Sequence, residues 1–247
     1  MLQDFLSLEG KLVFVMGGGK FGARALKYLT AKEAKVLLVD VNPDCLASSD
    51  ADIFAVDLSV VDSLADGQSA FLVGDAIDYL LFLLETQVPD LVVTAVPGNV
   101  IARAVEIWLS NRGCTLRPYS RAVSSVLENI PKSLVSFVDE DSAFVLVSYM
   151  PSNMRCRDDC MPPRNFCALT GRPRLASMKR LLDFSVYNHT DVLHIFTSWQ
   201  LTGGLGAISG KELDFLLKQL GIIKKPFTLA IGTACDCHGV LNLLEVE

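Results

Sequence analysis

Short apolar runs alternate with amphipathic segments along the first half of the chain. The runs KLVFVM, AKVLLVD, AFLVGD and DLVVTAV are nearly continuous in apolar residues, which is typical of strands buried on both faces of a parallel sheet. Between them, residues 20–32, 77–85 and about 99–110 predict helices. This alternation predicts an α/β fold with a Rossmann-type, doubly wound parallel sheet.

The pattern changes after Arg112. Residues 133–150 predict two strands joined at the acidic stretch DEDS, whereas residues 151–180 have no clear periodicity and are rich in Cys, Pro and Arg. Two further strands, near VLHIFTSW and FTLAIGTA, flank a glycine-rich loop and a helix. We therefore expect two domains: a dinucleotide-binding Rossmann domain at 1–130 and a smaller, cysteine-rich α/β domain at 131–247.

A glycine motif follows the first predicted strand and opens the first predicted helix. Gly17, Gly19 and Gly22 fit the pattern G-x-G-x-x-G, and Asp40 ends the next strand. Such glycines permit a tight turn, close approach of a pyrophosphate and close packing of helix on strand, while the helix N-terminus attracts phosphate. Asp40 would accept hydrogen bonds from ribose hydroxyls, which favours NAD over NADP. The alternative is a glycine turn that binds no nucleotide.

The first half of the chain resembles a known group of nucleotide-binding domains. The stretch VFVMGGGKFGARALKYL, with Asp40, GDAIDYLL and PDLVVTAV, is similar to the TrkA/RCK potassium-uptake regulators and the saccharopine-dehydrogenase-like Rossmann domains, over residues 11–112. In the regulators, the GDA-x-D segment lies beside the adenine, which implies that role for Asp75; as a residue type, Asp75 also suits a helix N-cap. A weaker resemblance, on Lys20 and Arg24, is to the precorrin-2 dehydrogenases of the siroheme pathway. The predicted cofactor-binding residues are Gly17, Gly18, Gly19, Lys20, Phe21, Gly22, Asp40, Asp75, Ala95, Val96 and Pro97.

Most cysteines fall into two clusters outside the predicted Rossmann domain. One cluster has the spacing C-x3-C-x6-C, and the other reads C-x-C-H near the C-terminus. Thiolates and imidazole are ligands for zinc, and thiolates for iron–sulfur clusters, although neither spacing is a standard one. Thiol redox chemistry and inert packing are the alternatives. The predicted metal ligands are Cys156, Cys160, Cys167, Cys235, Cys237 and His238.

Composition excludes several function classes. A net charge of −6 argues against nucleic-acid binding, which needs a basic surface. The apolar runs are far shorter than the roughly 18–20 residues of a membrane span. Asp4 and the lack of basic residues before the first apolar stretch predict no secretory signal, so we expect a cytoplasmic protein. Residues 151–180 nevertheless carry seven basic side chains against two acidic ones, which suits either an anionic small-molecule ligand or a solvated loop face.

Two functional hypotheses follow from these residues. The first is an NAD(P)-dependent oxidoreductase with a zinc or iron–sulfur site in its C-terminal half, for which His238 is a weak catalytic candidate. The second is a non-catalytic nucleotide or redox sensor, as the resemblance to the TrkA/RCK regulators implies. For either function we expect a homo-oligomer. The sequence names neither the substrate nor the reaction.

Overall fold

Strand β1 (Leu12–Met16) lies inside a sheet, and all of its residues are buried. The strands β2 (Lys35–Asp40) and β5 (Leu91–Thr94) flank it and run parallel to it. The computed structural model describes residues 7–161, 163 and 165–247, so Asp4 and Arg164, one of the seven basic residues of 151–180, lie outside the described residues. The continuous apolar sequence of these strands is thus explained by the burial of both faces of the sheet.

The first sheet is mixed. Strand β4 (Ser69–Val73) is parallel to β2, and the two-residue strand β3 (Ile53–Phe54) is parallel to β4. At the other side, β11 (Leu205–Ser209) pairs antiparallel with β5. The order within this part of the chain is β11-β5-β1-β2-β4-β3. The expectation of a purely parallel sheet is therefore wrong at β11, because a strand that returns from far along the chain needs no helical crossover and can add to an edge in either direction.

Helices follow most strands of this sheet. Helix α1 (Lys20–Thr30) buries the face that carries Gly22, Ala25, Leu26 and Leu29. Helix α2 (Val60–Ser63) is a single turn, and α3 (Ala76–Thr86) follows β4. The helices α4 (Val100–Ser110) and α7 (Gly210–Leu220) agree closely with the predicted ones.

The chain divides into two compact units. The first comprises residues 1–100 and 205–215, and the second comprises residues 101–204 and 216–247. Each unit is therefore built from two separate stretches of chain. The described residues form seven α-helices and two mixed sheets, and none of these helices is long and apolar enough to cross a membrane.

The second sheet belongs to the second unit and is largely antiparallel. Its main order is β7 (Val135–Asp139), β8 (Phe144–Ser148), β13 (His238–Val246), β12 (Phe227–Ala234) and β9 (Val192–Thr197). The pair of strands predicted around DEDS is confirmed as β7 and β8. Only β9 and β12 are parallel, and the short β6 (Leu116–Pro118) pairs with β13. Strand β10 (Trp199–Thr202) is not part of this sheet.

Two helices pack on this sheet and close its core. Helix α5 (Val123–Glu128) and helix α6 (Met178–Val186) contribute buried apolar side chains that meet those of the strands, such as Val147 and Leu241. Helix α6 begins at Met178, within the stretch 151–180 for which the sequence shows no clear periodicity. Ser177 marks this start, because its hydroxyl accepts a hydrogen bond from the Arg180 N–H and so caps the helix.

Candidate functional site

The turn between β1 and α1 contains three glycines in three different surroundings. Gly17 has φ +94°, and a Cβ there would lie 2.6 Å from Cγ1 of Val96. A Cβ on Gly22 would overlap the carbonyl oxygen of Gly17. A Cβ on Gly19, in contrast, would meet nothing within 4 Å. Two of the glycines are therefore required by the protein's own packing, while Gly19 opens onto free space.

The fourth glycine of this turn is covered by a neighbouring loop. A Cβ on Gly18 would collide with the sulfur of Cys45, and the Gly18 carbonyl accepts a hydrogen bond of 2.9 Å from the Ala47 N–H. The half-buried Cys45 thus packs against the backbone of the turn. This contact fixes the side of the turn that faces the loop and leaves the side at Gly19 open.

Asp40 ends β2 beside the same turn. Its Oδ2 accepts a hydrogen bond of 2.5 Å from the Gly18 N–H, and its Oδ1 accepts one of 2.8 Å from the Asn42 N–H. A carboxylate has about four lone-pair sites, so both oxygens retain the capacity to accept further hydrogen bonds. The structure therefore brings together the acid and the glycine turn that the sequence paired.

The remaining predicted residues of this site lie around the turn or begin a helix. Lys20 and Phe21 are exposed at the start of α1, which has no capping side chain and no acid in its first turn. Ala95 donates its N–H to the Met16 carbonyl at 3.0 Å, which brings the stretch Ala95–Pro97 to the end of β1. Val96 contacts the turn at Gly17, as described above. This side of the turn is therefore built from residues that follow β5.

Asp75 caps a helix. Its Oδ1 accepts a hydrogen bond of 2.7 Å from the Ile77 N–H at the start of α3. Gly74 precedes it with φ +157°, and the ring of Tyr79 lies against the space where a side chain would be. The N-cap interpretation of Asp75 is thus confirmed, and the nucleotide contact implied by the resemblance stays a prediction.

The turn between β12 and β13 carries the C-x-C-H sequence. The sulfur of Cys235 accepts hydrogen bonds from the N–H groups of Cys237 and His238, both at 3.3 Å, and lies 3.8 Å from Nδ1 of His238. Two backbone donors therefore point at one sulfur. Burial lowers the pKa of His238, the positive charge of Arg174 lowers it further and Cys167 opposes the shift, so a neutral imidazole is favoured.

A buried arginine lies at the centre of this region. Arg174 is only 8% exposed, and its Nη1 donates to the sulfur of Cys237 at 2.8 Å. Its Nε and Nη2 atoms are also buried and have no hydrogen-bond partner within the described residues. Burial raises the pKa of the Cys237 thiol to about 12, with a further contribution from Cys235, while Arg174 acts in the opposite direction. No sequence signal distinguished Arg174 from the other basic residues of 151–180.

The segment before α6 brings its own thiols to this region. Burial and a hydrogen bond with Cys160 raise the pKa of Cys156 to about 11, and Cys160 in turn interacts with Cys237. The Cys160 carbonyl accepts hydrogen bonds from Nε2 of Gln200 at 2.7 Å and from the Gly204 N–H at 3.0 Å. These two bonds hold the Cys160 backbone to the hairpin that follows β10.

Cys167 lies in a tight turn closed by Gly171. The Gly171 N–H donates to the Cys167 carbonyl at 2.8 Å, and Gly171 has φ +68°. Burial raises the pKa of the Cys167 thiol, but hydrogen bonds from the Thr170 hydroxyl and from the N–H groups of Thr170 and Leu169, with the charge of Arg174, outweigh it, and the net shift is downward.

Each of the six predicted metal-ligating residues thus interacts electrostatically with at least one other of them in the second unit. We call these residues, together with Arg174, the thiol cluster. Over residues 7–161, 163 and 165–247, however, no three His, Cys, Asp or Glu side chains are arranged to hold a metal ion. All seven cysteines of the chain are free thiols, and Cys114 is buried.

The glycine-rich loop before α7 is explained by packing. A Cβ on Gly203 or Gly204 would collide with the carbonyl oxygens of Asp159 and Asp158, respectively. The space beside these glycines is therefore occupied by the chain's own backbone. At the end of the same stretch, the Ser209 hydroxyl accepts a hydrogen bond of 3.2 Å from the Glu212 N–H and so caps the start of α7.

Comparison with known proteins identifies relatives along nearly the whole chain. Residues 86–247 match the C-terminal domain, and residues 12–99 the N-terminal domain, of the AF_1314 family, both described as domains of an uncharacterized protein. An uncharacterized protein of Archaeoglobus fulgidus is 31% identical over 231 residues, which covers 94% of this chain and 98% of that protein. The similarity thus includes both units.

Proposed function

We propose that this chain, which belongs to the AF_1314 family, binds NAD through the glycine turn of its first unit. One observation carries the proposal, namely that the three glycines of the motif have different surroundings. Gly17 and Gly22 are glycines because backbone or side chains fill the space beside them, whereas Gly19 faces open space at the start of a helix. These are the roles that a dinucleotide-binding turn needs, since the pyrophosphate must approach the backbone at the second glycine.

The strand order supports a Rossmann-type site. From β1, the chain passes first to β2 on one side and later to β5 on the other. The connections of the chain therefore lead to opposite sides of β1, so the strand order reverses there. Open α/β sheets bind their ligands in the crevice at such a reversal of strand order. The antiparallel β11 lies beyond β5 and does not alter the order around β1.

The surroundings of Asp40 favour NAD over NADP. The four residues after it, VNPD, include no arginine or lysine that could hold a 2′-phosphate. Val41 is 70% exposed, and Val73, which pairs with Asp40 in the sheet, is 46% exposed. Two apolar side chains at adjacent strand ends offer a surface for the flat adenine ring.

Substitution of Gly19 tests this proposal with least disturbance to the fold. Gly19→Ala adds a methyl group where only the ligand would meet it, so we expect the variant to melt within a few degrees of wild type but to bind NAD at least about tenfold more weakly. Isothermal titration with NAD and NADP measures both affinities. Asp40→Asn should weaken NAD binding and reduce the preference for NAD over NADP. Equal NAD affinity of wild type and Gly19→Ala would refute the proposed site.

The reaction class that such a cofactor serves is hydride transfer. We accordingly propose an NAD-dependent oxidoreductase, in which the cofactor carries the hydride and the protein orients it. Incubation of the purified protein with NADH and an artificial two-electron acceptor tests turnover, with Gly19→Ala as the control for cofactor binding. Tight NAD binding without NADH oxidation by any acceptor would instead favour the sensor function implied by the TrkA/RCK resemblance.

A further inference from the structure

We propose that Cys235 and Cys237, in the turn between β12 and β13, form a redox-active dithiol that exchanges with low-molecular-weight disulfides. Cys235 attacks the incoming disulfide, and Cys237 then closes an intramolecular disulfide with it. Both residues lie in the second unit, so this activity does not depend on NAD binding at the glycine turn.

Cys235 has the surroundings of an attacking thiol. Its side chain is partly exposed, and its sulfur accepts hydrogen bonds of 3.3 Å from the N–H groups of Cys237 and His238. Nδ1 of His238 lies 3.8 Å from the same sulfur, where it can take up the thiol proton. Two backbone donors and a base at one sulfur stabilise the thiolate, which is the nucleophilic form of cysteine.

Cys237 has the opposite surroundings, which suit the second thiol of such a pair. It is only 8% exposed, so a disulfide in solution reaches Cys235 first. Its amide nitrogen nevertheless lies 3.3 Å from the sulfur of Cys235. A disulfide joins Cα atoms about 4.4–6.8 Å apart, which residues two positions apart in a bent backbone can satisfy. One sulfur is therefore accessible, and the other lies behind it within the same turn.

Arg174 supplies positive charge to the buried sulfur. Its Nη1 donates to the sulfur of Cys237 at 2.8 Å, and its buried Nε and Nη2 have no hydrogen-bond partner among the described residues. A buried guanidinium with unused donors stabilises negative charge on an adjacent group. The Cys237 sulfur must carry such a charge when it loses its proton to attack Cys235. Arg174 thus favours the step for which burial alone makes Cys237 unsuited.

The exchange takes place in two balanced steps. In the first, the Cys235 thiol gives its proton to His238, and its sulfur attacks one sulfur of the disulfide R–S–S–R. The S–S bond breaks, and the departing R–S⁻ takes the proton from His238 and leaves as R–SH. In the second, Cys237 loses its proton and attacks the Cys235 sulfur, which expels the second R–S⁻, and this thiolate takes up a proton. The dithiol has then lost two electrons and two protons, and R–S–S–R has become two molecules of R–SH.

Disulfide mapping of the wild-type protein tests the pair without any substitution. Reduced protein is incubated with oxidised glutathione, quenched with acid, alkylated and digested with trypsin. We expect a Cys235–Cys237 disulfide, reversible by dithiothreitol, in the C-terminal tryptic peptide, which contains no other cysteine. Two free thiols in this peptide, a persistent mixed disulfide with glutathione, or a bridge to a cysteine elsewhere in the chain would overturn the assignment.

A disulfide with a coloured leaving group, dithiobis-nitrobenzoate, counts the two steps. When this reagent is limiting, wild type should release two coloured thiolates for each reagent molecule, because ring closure expels the second. Cys237→Ser should release one and retain the other as a mixed disulfide on Cys235. The matched control Cys45→Ser, which alters a packing thiol of the first unit, should release two. Two thiolates released for each reagent molecule by Cys237→Ser would refute the role of Cys237.

Substitutions of the base and of the arginine should slow different steps, as measured by stopped-flow absorbance. His238→Gln should slow the first release at least about tenfold, because it removes the base. His189→Gln is the control, since His189 contacts Asn129 and no thiol. Arg174→Gln should slow the second release at least about tenfold and leave the first unchanged, while Arg174→Lys should restore part of the rate. Wild-type rates for both steps in His238→Gln and Arg174→Gln would contradict these roles, and the mapping of the wild-type protein decides if a variant does not fold.

Discussion

The glycine turn and the thiol cluster are opposite ways to build a site. The glycine turn exposes mainly backbone, because its glycines lack side chains. Most of its residues lie within Gly17–Gly22. The thiol cluster consists of side chains from segments between Cys156 and His238. A backbone site tolerates almost no added atoms, whereas a side-chain site depends on charge balance and on loops held at the right distance.

The largest loss of stability is expected at the glycine whose surroundings leave no space for a side chain. Gly22→Ala would place a methyl group on the carbonyl oxygen of Gly17, so the turn or α1 must shift. We expect a loss of about 3 kcal/mol in the free energy of unfolding, together with loss of NAD binding. Urea denaturation measures the free energy of unfolding. Gly19→Ala is the control and should cost less than about 1 kcal/mol; a similar cost for both variants would contradict the distinction drawn between these glycines.

A smaller effect is expected from a glycine that supports the side-chain site. Gly204→Ala combines a φ of +68° with a clash against the Asp158 carbonyl, and it should cost about 2 kcal/mol. Because the Gly204 N–H donates to the Cys160 carbonyl, the Cys160 thiol should react faster with an alkylating reagent in Gly204→Ala. Gly113→Ala has a similar φ of +77° but no atom within 4 Å, and serves as the control. Identical Cys160 reactivity in both variants would count against the docking role of Gly204.

The smallest effect is expected at Asp75, where two variants separate helix capping from contact with the adenine. Asp75→Ser keeps a capping oxygen for α3, whereas Asp75→Ala removes it and should cost about 1 kcal/mol. If the second carboxylate oxygen also contacts the adenine, as the resemblance implies, both variants should lower NAD affinity about threefold, which corresponds to one weak hydrogen bond. Calorimetry and thermal melting separate these effects. Wild-type affinity in Asp75→Ser would leave Asp75 as a cap alone.

Much of the first unit was predictable because its signals are local. Burial on both faces makes β1, β2, β4 and β5 read as apolar runs, and the glycines follow a strand directly. Strand β11 was missed because Leu205–Ser209 is short and lies among glycines that indicate a loop. Its pairing with β5 is a long-range contact, which no local pattern encodes.

The thiol cluster was predictable in membership but not in arrangement. Cysteines are rare and chemically distinctive, so their two groups were visible in the sequence. The fold places both groups in the second unit, without arranging three of them around one point in the described part of the chain. Arg174 was not predictable, because the sequence shows a basic residue but not its burial. The N–H bonds to the sulfur of Cys235 were equally hidden, since they depend on the path of the backbone through that turn.

The two-part composition of each unit has a consequence during synthesis on the ribosome. Residues 205–215 belong to the first unit, so that unit lacks β11 until nearly the whole chain has been made. Until then the edge of β5 exposes unpaired backbone groups, which invite pairing with other chains. Neither unit corresponds to one uninterrupted fragment that could be expressed by simple truncation.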